Sequence, residues 1–83
     1  MKTFTDNQLK DIKFFKENLD EFLNDELLIN KYVVISGEKI KNSFDTIDNA
    51  ANYAIDNFRA GDYIIQRIVD PNKIINFVKA AIV

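Results

Sequence analysis

Residues 31–44, KYVVISGEKIKNSF, constrain the fold of this chain more than any other stretch. A short β-branched run, 31–36, is followed by Gly37 and Glu38 and then by an alternating run, 39–44. β-Branched side chains lose rotamer freedom in a helix and pack well on a pleated surface, so 31–36 reads as a strand. Glycine at the first of two central loop positions is the pattern of a type II′ turn, which sends 39–44 back antiparallel beside it. Alternation then points Ile40, Asn42 and Phe44 one way and Lys39, Lys41 and Ser43 the other. The lysine side reads as solvated, which suits an edge strand.

A helix is expected on each side of this hairpin. Thr5, followed three residues later by Gln8, is a capping box, with Phe4 and Leu9 placed to form a hydrophobic staple. Asp6 in the first turn suits the positive end of the helix dipole. Leu9, Ile12, Phe15, Leu19, Phe22, Leu23 and Leu27 then recur at helical spacing, which predicts a helix over 6–23 and leaves Phe14 off the stripe. Residues 17–26, ENLDEFLNDE, carry five carboxylates and no base. Negative charge at a helix C-terminus opposes the dipole, so a break near Asn18, with Asp20 and Glu21 opening a second short helix, is the alternative. After the hairpin, Asp45 or Thr46 caps a helix whose stripe is Ile47, Ala50, Ala51, Ala54, Ile55 and Phe58, with Arg59 and Gly61 as stop signals.

Residues 62–69 read as a third strand. Ile64, Gln66 and Ile68 line one side; Tyr63, Ile65, Arg67 and Val69 line the other. The tail, DPNKIINFVKAAIV, supports two readings. Asp70-Pro71 opens a helix with Ile74, Phe77, Val78, Ala81 and Ile82 as its stripe, or it opens a turn that returns 72–82 as a fourth strand.

Lys31, Tyr32, Val33, Gly37, Asp45, Thr46, Ala50, Ala54, Gly61, Tyr63, Ile65 and Gln66, taken in order, resemble a family of small uncharacterised bacterial domains. The likeness covers residues 31–68, nearly half the chain. It implies no activity and no catalytic residues, and it favours the strand reading of the tail. The expectation is a single α+β domain over 1–83, in the order α-β-β-α-β-β. Its antiparallel four-stranded sheet has the order 2-1-3-4, and both helices pack on one face.

Composition narrows the chemistry. The 83 residues include no cysteine and no histidine. Thiolate chemistry, disulfides and histidine general bases are therefore closed to this sequence. Net charge is −2 at pH 7, which argues against a nucleic-acid binder that neutralises phosphates with Lys and Arg. No apolar run is long enough for a bilayer, and the charged N-terminus lacks a signal-peptide core, so the cytoplasm is the default expectation.

Each candidate site has a plain structural reading beside it. Tyr32, Tyr63, Ile65 and Arg67 are expected on a sheet face left uncovered by the helices, as an interaction surface with aromatic and arginine anchors; the plain reading has Arg67 lying across an exposed face. Asp20, Glu21, Asp25 and Glu26 form an acidic surface suited to a basic partner, or simply a solvated one. Asp45 and Asp48 lack the glycine and the terminal glutamate of a calcium loop and read as helix N-terminal residues. Ser36 and Ser43, with Lys39 or Lys41 as base, make a poor nucleophile in open solvent. No catalytic, cofactor or metal residue emerges. The expected role is a non-catalytic protein-interaction domain, self-association included. The alternative is a small acidic regulator or inhibitor of the mobile-element type that docks on a basic protein.

Overall fold

A computed structural model describes residues 4–70. The elements are α1 (Asp6–Leu23), β1 (Tyr32–Ile35), β2 (Ile40–Phe44), α2 (Ile47–Asn57) and β3 (Ile64–Arg67). The sheet is antiparallel with the order β2-β1-β3, so the predicted order holds for these three strands. The expected fourth strand, and its helical alternative, fall at 72–82, outside the described residues.

The capping box forms as the sequence predicts. Gln8 N donates to Thr5 Oγ1 and Thr5 N donates to Gln8 Oε1, both at 3.1 Å. α1 runs unbroken past Asn18, whose side-chain amide donates to the Phe14 carbonyl at 2.9 Å. The helix ends at Leu23 without a base in its last turn. The chain then turns through 24–30, where the Asp25 carboxylate accepts the Leu27 N–H at 2.9 Å. Asn30 adopts a left-handed φ of 66°, a conformation that asparagine tolerates better than most residues. There its N–H donates to the Ile68 carbonyl at 2.7 Å, while the Ile68 N–H donates to the Lys31 carbonyl at 2.9 Å. The β1–β3 ladder is thereby extended beyond both strands.

The largest correction to the expected architecture concerns the helices, which lie on opposite faces of the sheet rather than on one. Val33, Ile35, Ile64 and Ile68 form one core cluster, packed by Ile12, Phe14, Phe15, Phe22 and Leu23 of α1. Val34, Ala50 and Ala54 form the other, packed by Tyr53 of α2 together with Tyr32, Phe44, Phe58, Tyr63 and Ile65. Alternation along a strand sends odd and even residues to opposite faces. The consecutive fully buried Val33, Val34 and Ile35 therefore require cover on both sides. Full burial of each such side chain contributes roughly 1.5–3 kcal/mol.

Two local features of the hairpin also differ from expectation. Both Gly37 (φ 62°) and Glu38 (φ 60°) are left-handed, which is a type I′ turn rather than type II′. It is closed by Ser36 N to Lys39 O at 3.0 Å and Lys39 N to Ser36 O at 3.3 Å. Pairing of Val34 with Asn42 but Ile35 with Ile40 places a bulge at Lys41. A bulge resets alternation, so Ile40 packs on the α1 side while Phe44 packs on the α2 side.

α2 is turned relative to its predicted stripe. Ala50 and Ala54 are fully buried against β1, whereas Ile47 and Ile55 are 54% and 67% exposed. Alanine lets the helix axis approach the sheet, and the rings of Tyr53 and Phe58 fill the flank. Thr46, not Asp45, is the N-cap, its hydroxyl accepting the Asn49 N–H at 3.2 Å. Asp45 instead pairs with Lys31. Thr46→Ala is expected to cost about 1 kcal/mol and to lower the thermal midpoint by about 4–8 °C, read by far-ultraviolet circular dichroism.

Candidate functional site

The N-terminal end of α1, the β1–β2 turn and the loop before β3 meet at one place. Thr5 Oγ1 donates to the Gly61 carbonyl at 2.5 Å, Asn7 Nδ2 to Asp62 Oδ1 at 3.1 Å and Gln8 Nε2 to the Tyr63 carbonyl at 3.2 Å. From the sheet side, Ser36 Oγ donates to the Asp62 carbonyl at 2.6 Å. These bonds border an open cleft of about 490 Å³, lined among others by Lys10, Asp11, Ser36, Glu38, Arg59 and Asp62.

Asp11 is the residue that sequence reasoning missed. It is 1% exposed, the one buried charged residue among those described. Oδ1 accepts the Glu38 N–H at 2.8 Å. Oδ2 is buried and has no hydrogen-bond partner. Burial pushes the Asp11 carboxyl above its ordinary value; the Glu38 N–H bond pulls it down, and the Glu38 and Asp62 carboxylates push it up again. The net effect is upward because desolvation disfavours the charged form more than one N–H bond favours it.

The geometry explains Glu38. A non-glycine residue in the left-handed region costs of order 1 kcal/mol, and here its N–H is directed at a carboxylate on α1. Asp11 thus ties the hairpin turn to the first helix. This structural role uses one oxygen and leaves the other without a donor. Buried polar groups are paired in the great majority of cases, and an exception calls for an explanation.

The surfaces expected from sequence are placed as follows. Tyr32, Tyr63, Ile65 and Arg67 share one sheet face, as alternation requires, but that face is the one α2 covers. Tyr32, Tyr63 and Ile65 are half-buried and Arg67 is exposed. Arg67 sits opposite Tyr32 in the β1–β3 register, with its guanidinium carbon 5.5 Å from the ring centroid. Such a contact contributes about 0.5–1 kcal/mol at an exposed site. Tyr63 continues a ladder of rings through Phe58, Tyr53 and Phe44, with centroid separations of 6.2, 6.1 and 5.3 Å. Gln66 lies opposite Val33 on the α1 face and is half-buried. Asp20, Glu21, Asp25 and Glu26 are all exposed; of these, Asp25 also closes the turn after α1. Among the described residues no three carboxylates converge to hold a metal ion, and no helix is long and apolar enough to cross a membrane.

A further surface follows from the rotation of α2. Ile47, Ala51 and Ile55 fall at i, i+4 and i+8, and so share one side of the helix. Ile47 and Ile55 are exposed, and Ala51 is half-buried.

Comparison of the chain with protein-family models, with curated proteins and with solved structures gives no match.

Proposed function

We propose that this chain is a non-catalytic interaction domain that pairs with a second copy of itself through the outer side of α2. The observation that carries the reading is the Ile47–Ala51–Ile55 strip, in which two large apolar side chains stay more than half exposed on a helix whose inner side is fully buried. A two-fold interface presents the same patch from both partners. The strip has that self-complementarity, since it reads large-small-large in either direction. Two antiparallel copies of α2 crossing at Ala51 bring Ile47 of each against Ile55 of the other, and the small central residue lets the helices approach. The lack of histidine and cysteine supports the non-catalytic part of the reading.

Light scattering on the eluting full chain, from low to high micromolar, is expected to show the mass rising toward twice 9.6 kDa. Ile55→Glu is expected to hold it at one chain throughout, with the thermal midpoint of the isolated chain little changed because Ile55 is 67% exposed. A monomer at every concentration, or a dimer indifferent to Ile55→Glu, contradicts the proposal. The acidic surface offers a second reading: Asp20, Glu21, Asp25 and Glu26 are exposed where α1 ends without a base. A strictly monomeric chain that loses a basic partner when these four become lysine would favour docking through that surface instead.

A further inference from the structure

We propose that the cleft between α1, the β1–β2 turn and the loop before β3 binds a small molecule bearing one primary ammonium group, with Asp11 as its counter-charge. This site is separate from the α2 strip. Asp11 is 1% exposed and lines the cleft, with Oδ1 engaged by the Glu38 N–H and Oδ2 unpaired. The missing partner of a carboxylate oxygen is a hydrogen-bond donor, and a charged donor makes the stronger bond.

The surroundings favour an ammonium in particular. Its three N–H donors diverge, and acceptors are offered from three elements: Asp11 on α1, the hydroxyl of Ser36 at the end of β1, and the carboxylate of Asp62 before β3. Ser36 Oγ donates to the Asp62 carbonyl at 2.6 Å and so keeps its lone pairs for accepting. Asp62 Oδ1 accepts from Asn7 at 3.1 Å, which fixes that side chain at the border of the cleft. The charged groups facing the cleft are Asp11, Glu38 and Asp62, against Lys10 and Arg59. This balance is acidic by one charge, enough for a monocation. Lys10 and Arg59 disfavour a second positive charge on the ligand, whereas an anionic or polar tail would suit them. A volume of about 490 Å³ takes a short-chain amine and lies at the small end of ordinary ligand pockets.

The ammonium binds the ionised carboxylate. Affinity is therefore full above the range in which Asp11 titrates and falls as pH drops through it. The other charged groups facing the carboxylate across the cleft are Glu38, Asp62, Lys10 and Arg59.

The test is an amide nitrogen–proton NMR titration of the full chain with n-butylammonium chloride at pH 7, with n-butanol and sodium chloride as controls. A saturable shift confined to the Gly37, Glu38 and Asp62 amides is expected with the amine and not with either control. The apparent affinity is expected to fall at least twofold on going from pH 7 to pH 4, because the Asp11 carboxyl is held above its ordinary value. Asp11→Asn keeps an acceptor for the Glu38 N–H and is expected to abolish saturation. A response equal to that of n-butanol or of salt, an affinity unchanged at pH 4, or a folded Asp11→Asn chain that binds as well as the parent overturns the proposal. Should the variant not fold, the pH comparison on the parent chain decides it.

Discussion

Asp11→Asn is expected to leave stability nearly unchanged around pH 4 and to raise it by about 1 kcal/mol at pH 7, the scale of penalty attached to a buried unpaired polar group. The direction follows from linkage. Burial holds the folded-state pKa of Asp11 above its unfolded value. The native chain therefore binds that proton more tightly than the unfolded chain does. The associated stability is fully present below the unfolded value and is lost as pH rises through the folded value. Asparagine does not titrate and keeps an oxygen for the Glu38 N–H, so it escapes the loss. Asp11→Ala behaves differently. It removes the acceptor for the Glu38 N–H and opens space under the turn, so it is expected to cost about 2 kcal/mol at pH 4, with a smaller deficit at pH 7. Urea unfolding of the three chains at both pH values reads these differences. Parallel pH profiles for the parent and Asp11→Asn would show that the carboxylate is not disfavoured in the fold.

Gly61→Ala is expected to cost about 2–3 kcal/mol, from two sources. Gly61 has a φ of 89°, a region in which an L side chain is strained by about 1 kcal/mol or more. A Cβ there would also lie 2.9 Å from the methyl of Thr5. That methyl cannot simply turn aside. The Thr5 hydroxyl donates to the Gly61 carbonyl and accepts the Gln8 N–H, so moving it breaks the capping box or the bond between α1 and the loop. Gly37→Ala provides the contrast. Its φ is 62° and nothing lies within 4 Å of the added carbon, so only the conformational part, about 1 kcal/mol, is expected. Thr5→Ser keeps the hydroxyl and removes the methyl. Combined with Gly61→Ala it is expected to recover the steric part of the loss and none of the conformational part. Urea midpoints for the single and double variants measure this, and a double variant no more stable than Gly61→Ala alone would contradict the contact.

Several elements were legible in the sequence because their signals are local. The span of α1 and its cap follow from Thr5, Gln8 and a sustained apolar period, and the hairpin and the strand order β2-β1-β3 follow from short connections. The face of α1 was less legible. Of the predicted stripe, Ile12, Phe15, Phe22 and Leu23 pack on the core while Leu9 and Leu27 are exposed; Asp11, in line with Phe15 and Phe22 at i, i+4 and i+11, and Phe14 turn inward although neither belonged to it. A carboxylate in line with two phenylalanines is a signal that apolar counting discards. The placement of α1 and α2 on opposite faces was not read from the sequence, although Val33, Val34 and Ile35 are apolar in succession and leave no polar face on β1. The I′ turn was not readable from Gly37 and Glu38 alone. The left-handed conformation of Glu38 is supported by a carboxylate 27 residues earlier in the chain, a contact that exists only once α1 has docked.

The most direct measurement is a carbon-detected NMR titration of the Asp11 side-chain carboxyl in the full chain, followed together with the Glu38 amide. The account predicts an Asp11 midpoint above that of an ordinary aspartate, with the Glu38 amide shifting over the same pH range because its N–H donates to that carboxylate. An ordinary or lowered midpoint, or a Glu38 amide that does not follow it, would contradict the burial of Asp11 and its bond to the turn.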